Sequence, residues 1–270
     1  MSLRKLAAIS SVIWSVACSQ AAAPPASTPS APAPTASATP PVAVPDAIRA
    51  AVSASDRSPE DRALDGGRKP ELMLAFFGIA PGMKVAEIGA GLGYTSELLA
   101  RVVGPTGKVF AQNSPMILEK FANVPWTARL AKPALANVVR ADREFDDPLP
   151  PEATNLDAVL DVLFYHDTVW LGVDREKMNR AIFAALKPGG IYGIVDHSGL
   201  PGSGLTTVKT THRIEEKNVR DEIEHAGFQF VEEASFLKNP SDTRDWNDSP
   251  KEAGERRGTS DRFVLKFKKP

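Results

Sequence analysis

The chain has 270 residues, of which 43% are hydrophobic and 24% charged, the composition of an ordinary globular protein long enough to bury its own core. Its 32 basic and 33 acidic residues give a net charge of −1, which argues against a nucleic-acid binder and gives no attraction to anionic membranes. The single cysteine, Cys18, excludes an internal disulfide.

The first 20 residues have the pattern of an export signal. Two basic residues at positions 4–5 precede an apolar stretch over 6–16 that is too short to span a bilayer comfortably. Ser15-Val16-Ala17-Cys18 follows and resembles a bacterial lipoprotein signal, although serine stands where leucine is usual. Ordinary secretory cleavage near 21–23 is the alternative, as is a Cys18 without a role. The sequence predicts an exported protein, periplasmic or anchored to the cell envelope through a lipid on Cys18.

A linker is predicted over residues 21–55. Between 21 and 45 almost every residue is Ala, Pro, Ser or Thr, and such a segment buries no core but forms an extended, semi-rigid tether. It would hold a domain away from a membrane surface, or be a leader without a role. One domain without internal repeats is predicted over 56–270.

The first elements of this domain lead into a glycine-rich turn. A charge-rich segment over 57–68 is expected as a helix or loop over a cofactor site, and a helix over Pro70–Phe77 ends at Gly78. Lys84–Ile88 reads as a buried strand, and residues 94–103 have helical apolar spacing. Strand, glycine turn and helix N-terminus together form a nucleotide-type cofactor site.

The spacing of the glycines indicates which cofactor binds. A dinucleotide fingerprint, G-x-G-x-x-G, would place its third glycine where Tyr94 stands. The pattern E-x-G-x-G-x-G instead resembles motif I of the class I S-adenosylmethionine-dependent methyltransferases, in which the turn wraps the methionine end of the cofactor. The resemblance implies S-adenosylmethionine as cofactor and, as its binding residues in this turn, Glu87, Gly89, Ala90, Gly91 and Gly93.

Two further cofactor contacts follow from the resemblance at the next strand ends. Strands are predicted over Lys108–Gln112 and Asn137–Arg140. The family usually has an acid after the second strand, where it accepts both ribose hydroxyls; Asn113 can accept through its carbonyl oxygen but brings no charge, which allows weaker binding or a different ligand. Asp142 stands where the family often holds the adenine amino group, and a solvated loop carboxylate or turn cap is the alternative.

The remaining elements complete an α/β pattern. Strands alternating with helices predict a doubly wound, mostly parallel seven-stranded sheet with helices on both faces, the Rossmann-like methyltransferase fold. The helices are predicted over 114–121, 174–186 and 215–226, and the strands over 156–164, 191–195, 228–236 and 262–267.

Other segments narrow the resemblance to bacterial predicted methyltransferases that carry an N-terminal signal. Leu186-Lys187-Pro188-Gly189-Gly190 resembles the segment before the fifth strand of methyltransferases. The narrower resemblance rests on short motifs, Arg68-Lys69-Pro70, Tyr165-His166-Asp167, Val195-Asp196-His197, His212-Arg213-Ile214 and Asp261-Arg262-Phe263.

The acceptor site is predicted at the carboxyl ends of the fourth and fifth strands, where ligands of open α/β sheets bind. Three of the four histidines fall near this edge, since the glycine-containing loop 199–204 would bring the third one close. A neutral histidine is a suitable base for methyl transfer, although a histidine bonded to backbone for structural reasons is the alternative. The predicted catalytic residues are Tyr165, His166, Asp167, His197 and His212.

Two classes of function remain open from sequence. The first is methyl transfer from S-adenosylmethionine to a small-molecule acceptor, without a nucleic-acid partner and with membrane contact only through the lipid anchor. Metal assistance is its variant, since five residues offer nitrogen and oxygen ligands: His166, Asp167, Asp196, His197 and His212. The main prediction includes no metal site. The second is a non-catalytic ligand-binding protein on a methyltransferase scaffold, favoured by Asn113 and by export away from the cytoplasmic cofactor supply.

Overall fold

The structure is a computed structural model that describes residues 43–270. Its strands are β1 (Lys84–Ile88), β2 (Lys108–Asn113), β3 (Val138–Asp142), β4 (Leu156–Val162), β5 (Leu186–His197), β6 (Gln229–Ala234) and β7 (Arg262–Lys268). Its α-helices are α1 (Asp46–Ser53), α2 (Pro59–Arg68), α3 (Pro70–Phe77), α4 (Tyr94–Val103), α5 (Pro115–Ile117), α6 (Asn123–Leu130), α7 (Tyr165–Leu171), α8 (Arg175–Ala185), α9 (Val208–Thr211) and α10 (Glu216–His225). A π-helical turn, Leu118–Ala122, joins α5 to α6, and short 3₁₀ turns cover Pro133–Leu135 and Gly254–Arg256.

The seven strands form one sheet in the order β3-β2-β1-β4-β5-β7-β6. The pairs from β3 to β5 are parallel, while β7 runs antiparallel to both β5 and β6. The strand order reverses between β1 and β4, and ligands of open α/β sheets bind beyond the carboxyl ends of the strands at such a switch point. The predicted doubly wound fold is therefore confirmed, and it places the glycine turn beside the end of β4.

Helices cover both faces of the sheet because the strands bury apolar side chains on each side. On one face Val85 and Leu160 pack with apolar residues of α1, α3 and α4. On the other face Ile88 and Val159 pack with apolar residues of α8 and α10. Near-continuous apolar strands of this kind are typical of parallel sheets buried on both faces.

The domain begins earlier than the sequence predicted. Helix α1 lies inside the stretch assigned to the linker over 21–55, and its Ile48 and Ala51 are buried in the core beside α3 and α4. The boundary near Asp56 was wrong because the tether composition ends at about residue 45, after which apolar residues recur at helical spacing.

Two other elements differ from their predicted forms. Strand β5 begins at Leu186, not at 191, so the Pro188-Gly189-Gly190 segment lies within the strand, near a register irregularity against β4. The Tyr165-His166-Asp167 motif, expected as the exposed end of β4, is the first turn of the unpredicted helix α7. This helix changes the direction in which successive side chains of the motif point.

The predicted signal, Cys18 and the first part of the linker lie outside the described residues. Between 43 and 270, no helix has both the length and the apolar character needed to cross a membrane.

Candidate active site

The glycine turn has one open position and two that are packed against aromatic rings. Gly89, Gly91 and Gly93 have φ of 66°, 56° and 83°, a region that favours glycine. A Cβ on Gly91 would meet nothing closer than the Gly89 carbonyl oxygen at 4.0 Å, whereas one on Gly89 would lie 2.3 Å from the Phe164 ring and one on Gly93 2.1 Å from the Trp126 ring. The space beside Gly91 therefore fits a ligand that approaches the backbone closely.

Side chains at the end of β2 hold this turn in place. Gln112 accepts a hydrogen bond from Gly89 N–H through Oε1 at 3.0 Å, and Asn113 accepts from Gly91 N–H through Oδ1 at 2.8 Å. Asn113 also donates from Nδ2 to the Gly91 carbonyl at 3.0 Å and is fully buried. Both polar atoms of Asn113 are therefore bound to the turn, and because the side chain is buried, contact with a ribose would require the turn to move.

Glu87 is buried beneath the turn rather than presented at its surface. Its carboxylate accepts a hydrogen bond from the Ser96 hydroxyl at the start of α4. Burial raises the pKa of Glu87 to about 7, although the hydroxyls of Ser96 and Thr95 and the charge of Arg68 oppose the rise. Glu87 thus links β1 to α4, and its ionisation falls in the neutral range.

The other two predicted cofactor residues lie on either side of this site. Ala90 is buried, and its N–H donates to the Gln112 carbonyl at 2.8 Å. Asp142 is the last residue of β3, is exposed, and forms an ion pair with Arg140 at 2.7 Å. Its role at the adenine stays a prediction.

Three histidine rings converge at the ends of β4 and β5. The ring centroids of His166 and His212 are 4.2 Å apart, those of His166 and His197 5.3 Å, and those of His197 and His212 6.2 Å. His166 comes from α7, His197 from the end of β5, and His212 from the residue after α9, where it has a left-handed φ of 56°. The loop after β5 therefore folds back as predicted and brings His212 to the other two rings.

His166 is fully buried between two carboxylates. Its Nδ1 lies 2.6 Å from Asp196 Oδ1, and its Nε2 lies 3.3 Å from Asp167 Oδ1. Burial opposes protonation, but the charges of Asp196 and Asp167 outweigh it and raise the pKa of His166 well above its usual value. Asp161 lies nearby on β4, and burial together with the charge of Asp196 raises its pKa well above the usual range.

The pKa values of the other two histidines are lowered. Burial lowers the pKa of His197 to about 4, although Asp248 opposes the shift. The His197 Nδ1 lies 2.9 Å from Ser260 Oγ and 2.5 Å from Asp248 Oδ2. Burial and the charge of His166 lower the pKa of His212, whose side chain is 19% exposed. His212 and the 18% exposed Asp167 are thus the accessible members of the cluster.

Tyr165 does not belong to this cluster, and its prediction as a pocket residue was wrong. Its hydroxyl donates to Glu222 Oε2 at 2.8 Å and accepts from Asn179 Nδ2 at 2.9 Å, deep between α7, α8 and α10. Because successive residues of a helix point about 100° apart, Tyr165 and His166 face different directions. The tyrosine therefore has a packing role.

Sequence reasoning missed three residues of the site. Trp170 follows Asp167 by three positions on α7, donates from Nε1 to Asp167 Oδ1 at 2.6 Å, and is 41% exposed at the mouth of the cluster. Asp161 lies within the fourth strand, where an acid in an apolar run was the available signal. Asp248 reaches His197 from the segment between β6 and β7, and no local pattern indicates that contact.

Part of the chain matches a known family model. Residues 70–138 match the model described as protein-L-isoaspartate(D-aspartate) O-methyltransferase (PCMT). This segment holds β1, the glycine turn, α4 and β2, and it ends at the first residue of β3. It includes no residue of the histidine cluster, so the match concerns the cofactor-binding half and not the acceptor.

Solved structures share the fold at low sequence identity. An S-adenosylmethionine-dependent methyltransferase from Aquifex aeolicus has 19% identity and a TM-score of 0.54, with 77% of this chain and 96% of that chain covered. A protein named as a candidate sarcosine dimethylglycine methyltransferase from Galdieria sulphuraria has 18% identity and a TM-score of 0.53, covering 78% and 85%. The [4+2]-cyclase SpnF has 15% identity and a TM-score of 0.53, covering 78% and 81%.

These neighbours establish the fold alone, and a cyclase among them shows that the fold does not fix the reaction. The family-model match bears on the cofactor as well as on the fold, because it includes the three-glycine turn. The family-model match and the shared fold agree with the predicted class of enzyme, an S-adenosylmethionine-dependent methyltransferase, and with S-adenosylmethionine as its cofactor.

Proposed function

We propose that the protein transfers a methyl group from S-adenosylmethionine to a small-molecule acceptor bound against the histidine cluster. The observation that carries the proposal is the convergence of His166, His197 and His212 at the ends of β4 and β5, one strand away from the turn that follows β1. A donor at the turn and an acceptor at the cluster would therefore lie side by side at one sheet edge.

The cofactor would be held mainly by backbone. The open space at Gly91 and the N-terminus of α4 fit its methionine end, and Asp142 is proposed for its adenine end. When bound, S-adenosylmethionine supplies a methyl group on a positively charged sulfur. Gln112 and Asn113 contribute by fixing the shape of the turn, which keeps its open position available.

The acceptor would contact the accessible side of the cluster. Asp167, His212 and the half-exposed indole of Trp170 form this side, while His166 and His197 are buried behind it. A flat apolar face beside nitrogen and oxygen groups suits a small molecule that has both an apolar body and a polar nucleophile. The contribution of the protein is to position the two reactants and exclude water.

Export is proposed with the enzyme. The basic residues at 4–5, the short apolar stretch over 6–16 and the Ala/Pro tether support an exported domain, periplasmic or held to the envelope through Cys18. Mass spectrometry of the protein from its native host tests this: a processed N-terminus is expected, and an intact Met1 in cytoplasmic protein would contradict it.

Calorimetry of the full chain with S-adenosylmethionine and its demethylated product tests the enzyme. Binding is expected for the wild type and is expected to be lost in Gly91→Val, whose side chain would fill the ligand space. Gly78→Val is the matched control, because Gly78 has a similar φ of 73° and open surroundings but precedes the opposite end of β1. A wild type that binds neither compound would favour the non-catalytic scaffold protein.

A further inference from the structure

Two histidines of the cluster and the neighbouring Asp167 lie as close together as the ligands of a metal ion do. One ligand atom each from His166, Asp167 and His212 lies within 4.8 Å of the other two. The His166 side chain is fully buried, and its Nε2 has no aligned hydrogen-bond partner although it points to Asp167. A buried ring nitrogen without an aligned partner, directed at a second histidine and a carboxylate, is a position that a cation can occupy.

A carboxylate behind His166 fixes the orientation of this ring. Asp196 accepts hydrogen bonds from the backbone N–H groups of His166 and His197, each at 2.8 Å, and its Oδ1 contacts His166 Nδ1 at 2.6 Å. The proton on Nδ1 stays bonded to Asp196, and a metal ion that displaces the proton of Nε2 would bind the lone pair of that nitrogen, which faces the cluster. A carboxylate that binds the far nitrogen of a histidine is the usual support of a histidine metal ligand.

We propose that His166, Asp167 and His212 bind a divalent transition-metal ion, with Asp196 positioning His166. Two imidazoles and one carboxylate suit zinc, iron or related ions better than magnesium or calcium, which prefer oxygen ligands. His197 is left out because the donor atoms that lie within 4.8 Å of one another come from His166, Asp167 and His212. The structure thus selects three of the five candidate ligands that the sequence offered.

Three protein ligands leave at least one coordination position open. Asp167 and His212 are partly exposed, so the open position faces the mouth beside Trp170, where the acceptor is proposed to bind. A hydroxyl bound there would lose its proton to water more readily, because a metal ion lowers the pKa of a bound oxygen acid. Its oxygen would then bond to the methyl carbon as the bond from that carbon to the sulfonium breaks. This step rests on the proposed function, whereas metal binding does not.

The binding test uses the full chain, purified without a histidine tag, stripped with a chelator and titrated with Zn²⁺ by calorimetry. One Zn²⁺ per chain is expected. Asp167→Asn and His212→Ala should each weaken binding by about 100-fold or more, and Asp196→Asn by about 10- to 100-fold. His225→Ala, at the C-terminus of α10, is the matched histidine control and should bind as the wild type does. Absence of stoichiometric binding, or binding unchanged in Asp167→Asn and His212→Ala, would overturn the proposal.

Two further measurements keep the result decisive if a variant folds poorly. Co²⁺ added to the wild-type chain should give the visible absorption of a nitrogen-ligated site, and a spectrum like that of the hydrated ion would contradict the site. Calorimetry with S-adenosylmethionine on the metal-free chain tests the proposed function separately. Cofactor binding without metal binding would reject only the metal site, and metal binding without cofactor binding would reject only the methyltransferase.

Discussion

The two halves of this site are built in different ways. Apart from Asp142, the cofactor half comes from one continuous segment over 84–113, and its contacts are mainly backbone groups held by Gln112 and Asn113. The acceptor half is made of side chains from four separate segments, around residues 166, 197, 212 and 248. A backbone-built site is specified by glycines at fixed spacing, whereas a side-chain site depends on the tertiary fold.

The largest expected effect tests whether the glycine turn of the cofactor half tolerates a side chain. Gly93→Ala should lower the free energy of unfolding by about 3–4 kcal/mol, because its Cβ would overlap the Trp126 ring and its φ is positive. Gly91→Ala, which has the same φ sign but open space, should cost only about 1–2 kcal/mol. Urea denaturation of both variants measures the difference, and equal losses would show that the turn is not packed as described.

The second prediction concerns the carboxyl beneath the turn. Because the pKa of Glu87 is about 7 in the folded chain and 4.5 in the reference state, the folded chain binds more protons between these values. Stability should therefore fall as pH rises through this window, by about 3 kcal/mol in total from this group.

Glu87→Gln should remove this dependence. Denaturation at several pH values should give similar free energies of unfolding for the variant and the wild type near pH 5. Above pH 8 the variant should be the more stable protein, by no more than the roughly 3 kcal/mol that the pKa difference sets. A constant gap between the two proteins at all pH values would mean that Glu87 does not titrate as described.

The smallest effect separates packing from chemistry at the acceptor half. Tyr165→Phe should lower stability by about 1–2 kcal/mol, because Asn179 and Glu222 lose a buried hydrogen-bond partner. Once an acceptor is known, turnover should be unchanged. If this variant folded normally but lost turnover, Tyr165 would have to be assigned to the acceptor half.

The sequence predicted the cofactor half better than the acceptor half for physical reasons. Gly89, Gly91 and Gly93 report a backbone conformation that few other residues adopt, so a local pattern was enough. The grouping of the histidines was also predictable, because strand ends in a parallel sheet meet at one edge. The direction of Tyr165 was not, since it depends on α7, a helix of only seven residues whose N-terminus has no side-chain cap.

Contacts between residues far apart in the sequence also limited what could be predicted. Asp248 contacts His197 although it lies 51 positions later in the sequence. Phe164 and Trp126 pack against glycines of the turn, and no local sequence pattern connects either ring with its glycine. The selection of His166, Asp167 and His212 as a group likewise depends on the fold of the loop after β5. Residue types predicted the chemistry of the cluster, whereas only three-dimensional structure distinguished direct ligands from the supporting Asp196.

The position of β7 has a consequence for synthesis of the chain. β7 leaves the ribosome after both β5 and β6, yet it lies between them in the finished sheet. Until residues 262–268 emerge, the facing edges of β5 and β6 lack their backbone partners, and unpaired edges are templates for aggregation. The strands of the cofactor half emerge earlier, while the edge of β5 that leads to His197 is completed only after residues 262–268 have emerged.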